Sequence, residues 1–138
     1  MEIVEHSFSS ERHTSFYLSC GPKDGQPIIM LHGWPDLSIG WEEQLKFFGA
    51  QGYHAIAPDM RGYGSSSIPE NHSDYCMKEI VVDMMELLSS LGHKEAIWVG
   101  HDWGSPVVWN IALHHPEAVK GLVSLCVSFG WGGHPNSY

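Results

Sequence analysis

The stretch Ala96-Ile97-Trp98-Val99-Gly100-His101-Asp102-Trp103-Gly104 decides the fold. Its first four residues are an apolar run of strand length. From about Ser105 to His115 the period changes, with Val107, Val108, Ile111 and Ala112 on one helical face and Pro116 as the stop. Strand and helix are joined by a very short turn with glycine two residues before and two residues after Asp102. A turn that tight lifts its central side chain above the sheet, at the N-terminus of the next helix, whose dipole favours an anion.

The same alternation extends outward on both sides. Glu2–Ser9 and Thr14–Ser19 alternate in polarity and predict two half-exposed strands, followed by the turn Gly21-Pro22-Lys23-Asp24-Gly25. Pro27–Leu31 is an unbroken apolar run, as required of a strand covered by helices on both faces. Trp41, Leu45 and Phe48 mark a helix from Ser38 to about Gln51, with Gly52 as its C-cap. Tyr53–Ala57 predicts a strand ending at Pro58-Asp59. Ser73 is placed to N-cap a helix with the stripe Ile80, Met84, Leu87, Leu88 and Leu91, closed by Gly92. Val119–Val127 completes the series as a sixth strand. Strands alternating with helices over short connections predict an α/β protein with a mostly parallel sheet and helices on both faces.

In such sheets, sites form at the carboxyl ends of the strands. Three strand ends carry unusual residues: His32-Gly33-Trp34-Pro35, Asp59-Met60-Arg61-Gly62-Tyr63-Gly64 and Gly100-His101-Asp102-Trp103-Gly104. The last has the G-x-nucleophile-x-G pattern of a nucleophile elbow. A carboxylate at its centre needs no base to deprotonate it, so Asp102 can attack carbon directly and form an ester. The alternative is that Asp102 caps the helix beginning near Trp103. The HGWP loop is placed to offer the Trp34 N–H to an oxyanion, with the Trp103 N–H as the second donor; each is worth about 2.7–4 kcal/mol in a transition state. The same loop also reads as a Trp-Pro turn, cis or trans, that anchors the chain. Trp34, Pro35 and Trp103 together are expected to wall an apolar substrate pocket. Asp59 and Arg61 are expected to form a short-range ion pair bracing neighbouring loops.

Composition excludes other classes. The 138 residues carry 7 Lys+Arg against 16 Asp+Glu, a net charge of −9 that opposes binding to nucleic acid. With 43% hydrophobic and 17% charged residues the chain is not disordered. No apolar run approaches the length of a membrane span. Cys20, Cys76 and Cys126 have no CxxC spacing and read as reduced thiols. The N-terminus has neither a basic start nor an apolar signal run, so a cytoplasmic location is expected. The ten histidines form no HExxH or similar ligand set, and His114-His115 suit a helix C-terminus. No metal and no cofactor are therefore expected.

HGWP, DMRGYGSS and GHDWG, in this order and spacing, resemble the epoxide hydrolases of the α/β-hydrolase fold, from the first strand to about Val127. The resemblance implies an Asp102 nucleophile, an oxyanion hole at Trp34 and Trp103, and a small-molecule epoxide as substrate. In that family two cap-domain tyrosines hold the epoxide oxygen, and a His-acid pair activates the water that cleaves the ester. Haloalkane dehalogenases share the Asp nucleophile but typically carry Glu or Asn where Trp34 stands.

Both water-activating residues of the family follow the nucleophile. Here Glu117 is the only later acid, and His114, His115 and His134 the only later histidines, none of them after a further strand. Tyr138 ends the chain near where a cap would begin. Residues 1–138 are thus expected to be the N-terminal part of a single α/β-hydrolase core, almost inactive alone. Cap and last strands are expected to lie outside it. The apolar sixth strand is left with an open edge. It is expected to be covered by the rest of an enzyme or by self-association, the latter as part of a non-catalytic scaffold.

Overall fold

A computed structural model of the protein describes residues 2–125. Its strands are β1 (Val4–Ser9), β2 (Thr14–Cys20), β3 (Pro27–Leu31), β4 (His54–Pro58), β5 (Ala96–His101) and β6 (Val119–Leu125). Its helices are α1 (Glu42–Ala50), α2 (Met77–Ser90) and α3 (Gly104–His114). The six strands form one sheet in the order β1-β2-β4-β3-β5-β6. The β1-β2 and β2-β4 pairs are antiparallel; the β4-β3, β3-β5 and β5-β6 pairs are parallel.

Every residue of β3 and β4 is buried. Side chains alternate between the faces of a strand, and the core divides accordingly. Ile29, Leu31, Ile56 and Trp98 pack with Val81, Met84 and Leu87 of α2 and with Val107, Val108 and Ile111 of α3. Ile28, Met30, Ala55 and Val99 pack with Leu45 of α1 on the other face. Each large apolar side chain so enclosed contributes about 1.5–3 kcal/mol. The indole N–H of Trp98, wholly buried, donates to the Ala118 carbonyl at 2.9 Å, so its burial leaves no polar group stranded.

Two expected details differ. Residues 38–41 form a 3-10 turn, and the α-helix starts only at Glu42. Ser73 does not cap α2: it lies inside a 3-10 turn, His72–Tyr75, and the N-cap position falls on Cys76, which makes no side-chain capping bond. The positive-φ glycines Gly52 and Gly92 do close α1 and α2. Among the described residues β6 pairs with β5 alone, and Val123 and Leu125 are exposed. Val127, the expected end of that strand, lies outside the described residues. Among the described residues no helix is long and apolar enough to cross a membrane.

Candidate active site

Three loops meet at the carboxyl end of the parallel strands: those after β3, β4 and β5. At the end of β5, Asp102 has φ 55°, the one non-glycine residue in the left-handed region among those described. Such a conformation costs of order 1–3 kcal/mol and persists only when the surroundings enforce it. Here they do. A methyl group at Gly100 would stand 2.7 Å from the Gly104 carbonyl carbon, and one at Gly104 would stand 2.9 Å from the His32 carbonyl oxygen. The two glycines let β5, the turn and α3 close on one another.

Ser105 locks the turn in place. Its hydroxyl donates to the carbonyls of Gly100 (2.9 Å) and Leu125 (3.1 Å), and its N–H donates to the Asp102 carbonyl at 3.0 Å. The Asp102 N–H reaches the Leu125 carbonyl at 3.2 Å, tying the turn to β6. Sequence reasoning missed Ser105. Its signal is a small hydroxyl residue directly after the second glycine of the turn.

Trp103 holds the N-cap position of α3, and its own side chain makes no capping bond there. Asp102 itself stands one residue before that position. Its carboxylate turns instead toward the HGWP loop, where the Trp34 N–H donates to Oδ2 at 3.2 Å. The Trp34–Pro35 peptide is cis. Gly33 is required by the approach: a methyl group there would stand 2.8 Å from Asp102 Oδ2. A half-buried carboxylate held this way is acceptor-only, and its other oxygen can attack an electrophilic carbon.

Beside Asp102 lies a cavity of about 280 Å³. Met60, Met77, Ile80 and Val107 supply its apolar wall, with Tyr63, Tyr75 and Trp103 around them. Of the three residues expected to wall a substrate pocket, Trp103 lines this cavity. Trp34 is 65% exposed and Pro35 is exposed, and neither is among the residues lining this cavity. The walls from α2 and from the loop after β4 were missed, because only tertiary packing brings Met77 and Ile80 over the strand ends. The Tyr63 hydroxyl is held above its ordinary pKa by burial and by the negative charge of Asp102.

Asp59 and Arg61 do not pair with each other. Asp59 accepts the Ser38 N–H at 2.9 Å and the Ser65 N–H at 3.0 Å, so it joins the loops after β3 and β4. Arg61 instead grips the fully buried Asp83 of α2 through Nε and Nη2, both at 2.8 Å, and donates from Nη1 to the Asp74 carbonyl at 2.7 Å. The bracing role stands, with different partners. Glu117, His114 and His115 lie at the far end of α3, about 16 Å of helix from the turn. Among the described residues no three His, Cys, Asp or Glu side chains gather as metal ligands.

Known proteins resemble this chain closely. The model of the alpha/beta hydrolase fold family matches residues 26–136. Epoxide hydrolase 2 of Siraitia grosvenorii is 41% identical over 130 residues, which cover 94% of this chain and 40% of that relative. Epoxide hydrolase A of Mycobacterium tuberculosis is 43% identical over 104 residues, covering 75% and 32%. The crystal structure of an epoxide hydrolase from Vigna radiata superposes with a TM-score of 0.89 at 36% identity, over 93% of this chain and 41% of that one. The chain thus spans about two fifths or less of the length of these relatives. With this sheet order and a match over most of its length, the chain belongs to the α/β-hydrolase-fold family, and within that family it resembles the epoxide hydrolases.

Proposed function

We propose that these residues form the nucleophile-bearing part of an epoxide hydrolase. One Asp102 carboxylate oxygen attacks a ring carbon, the carbon–oxygen bond of the epoxide breaks, and the released oxygen takes up a proton. The product is a hydroxyalkyl ester on Asp102. Water then adds to the ester's carbonyl carbon, with negative charge gathering on Oδ2 and the N–H groups of Trp34 and Trp103 holding it. Collapse frees a vicinal diol and restores the carboxylate.

The observation that carries this proposal is the Trp34 N–H at 3.2 Å from Oδ2, on an aspartate held at φ 55°. A donor on Oδ2 leaves Oδ1 to attack and already occupies the place where the oxyanion will form. The 280 Å³ apolar cavity would take the hydrocarbon substituent of a small epoxide. The water-activating base, its acid and the cap tyrosines are proposed to come from sequence outside these 138 residues, with further strands pairing along the edge of β6 that no other described strand covers. Alone, the chain would stop at the ester, since losing triad members costs factors of about 10⁴ to 10⁶. A reducing cytoplasmic setting, in which Cys20 and Cys76 stay free thiols, belongs to the same proposal.

Incubation with a small aryl epoxide followed by intact-mass and peptide analysis tests this. One equivalent of epoxide on the Asp102 peptide is expected. A folded chain that gains no mass refutes the nucleophile. Halide released from a haloalkane, with no epoxide adduct, would reassign the site to dehalogenation.

A further inference from the structure

We infer that His32 is a positioning residue of the oxyanion hole: its Nδ1–H holds the Gly33–Trp34 peptide so that the Trp34 N–H faces Asp102. This rests on the proposed ester chemistry for its purpose, though not for its geometry.

His32 stands just after β3 and is 3% exposed. The Met60 N–H, from the loop after β4, donates to its Nε2 at 2.9 Å. A nitrogen that accepts a hydrogen bond carries no proton, so in the neutral ring the proton sits on Nδ1. Nδ1 lies 2.9 Å from the Gly33 carbonyl oxygen, which must be the acceptor. Burial outweighs the Gly33 hydrogen bond and the charges of Asp59 and Asp36 and holds the imidazole below its ordinary pKa, so the neutral ring is the stable one. Tyr63 packs edge-on against it at 5.0 Å.

The consequence lies in the peptide unit. The Gly33 carbonyl and the Trp34 N–H belong to the same peptide group. That group is trans, since the only cis bond among the described residues is the next one, Trp34–Pro35. In a trans peptide the C=O and N–H point in opposite directions within one plane. Fixing the carbonyl therefore aims the N–H, which lies 3.2 Å from Asp102 Oδ2. The Asp36 N–H donates to the same carbonyl at 2.9 Å, so both of its lone pairs are used. Donation to the carbonyl also polarises the peptide and strengthens its N–H as a donor. His32 thus links the loops after β3 and β4 and aims the hydrogen bond on which ester cleavage depends.

Two substitutions separate the ring's two contacts. In His32→Asn the amide NH₂ stands near the place of Nδ1 and keeps a donor for Gly33. In His32→Gln the amide oxygen stands near Nε2 and keeps an acceptor for Met60 only. In the 138-residue chain, ¹⁵N NMR of the wild type is expected to show His32 protonated on Nδ1. The Trp34 amide proton should move upfield in His32→Gln and return toward its wild-type position in His32→Asn. With an epoxide, cleavage of the Asp102 ester by added hydroxylamine, which needs no base from the protein, should slow in His32→Gln by about tenfold more than ester formation does, because the oxyanion forms only in the cleavage step. A wild-type ring protonated on Nε2, an unmoved Trp34 amide in folded His32→Gln, or equal behaviour of the two variants overturns the inference. If neither variant folds, the wild-type tautomer alone decides. Failure of the ester chemistry looks different: the wild type gains no epoxide, while the tautomer and the Trp34 amide shift are unaffected.

Discussion

Trp34 and Asp102 stand 68 positions apart in the chain, yet the backbone N–H of one meets the carboxylate of the other at 3.2 Å. The contact is possible because Gly33 presents no side chain to Asp102. Gly33→Ala would put a methyl group 2.8 Å from Oδ2 and 2.9 Å from the His101 carbonyl. The expected result is a folded chain that gains epoxide mass at least about tenfold more slowly, since displacements near 1 Å cost up to about 10²-fold. Asp102→Asn should gain none. Adduct formation at the wild-type rate in Gly33→Ala would show that the approach of the two loops is not needed.

The elbow glycines should matter to stability as much as to chemistry. A methyl group at Gly100 meets Gly104 and Ser105 backbone, and one at Gly104 meets the backbone of Leu31 and His32. Backbone cannot swing aside as a side chain can. Gly100→Val or Gly104→Val should therefore lower unfolding stability by about 3 kcal/mol, the upper end of overpacking costs. Urea denaturation reads this directly, and a loss below about 1 kcal/mol would mean that the turn relaxes freely.

The fold and the tight turn at Asp102 are legible in the sequence, for reasons that can be named. The elbow at Asp102 could be read because its curvature admits only small residues at 100 and 104, so the geometry leaves a mark at fixed spacing. The fully buried strands β3 and β4 could be read because two covered faces demand an unbroken apolar run. Arg61 was assigned the wrong partner because proximity in sequence favoured Asp59, whereas Asp83 reaches it only through the packing of α2 against the loop after β4. The cavity wall is hard to read for the same reason: Met77 and Ile80 reach it from α2, 43 or more positions after Trp34, while Trp34 itself is largely exposed. The roles of His32 and Ser105 lie in hydrogen bonds to backbone groups, which leave no residue pattern of their own.

The Arg61–Asp83 pair gives a prediction about stability rather than catalysis. Asp83 has no exposed side-chain surface, and besides Arg61 it accepts from Arg12 at 3.1 Å. Removing one partner of a buried pair strands the other's charge, at about 3–5 kcal/mol. Asp83→Ala should lose that much in urea melts. Arg12 keeps 30% of its side-chain surface in water and shares its charge among Glu79, Asp83 and Glu86. Arg12→Ala should cost no more than about 1 kcal/mol. Equal losses in the two variants would mean that burial of Asp83 does not govern the network.

The far end of the sheet carries a buried, pH-sensitive histidine that has no part in the site. His54, 4% exposed at the start of β4, sets its Nδ1 at 3.0 Å from His93 Nε2. Burial, then the charges of His93, His6 and Lys23, lower its pKa from 6.5 to about 4. Between those two values the unfolded chain binds a proton at His54 that the folded chain does not. The unfolded state therefore gains as pH falls, and stability drops from about pH 6.5 down to about pH 4. Below about pH 4 both states are protonated and this contribution stops changing. At about 1.4 kcal/mol per pKa unit the whole effect is at most about 3.5 kcal/mol. His54→Asn removes the titrating ring, so its urea midpoint should fall less than that of the wild type between about pH 7 and about pH 4. Parallel losses in the two proteins would place the acid sensitivity elsewhere, with the buried, down-shifted rings of His13 and His32 the next to replace.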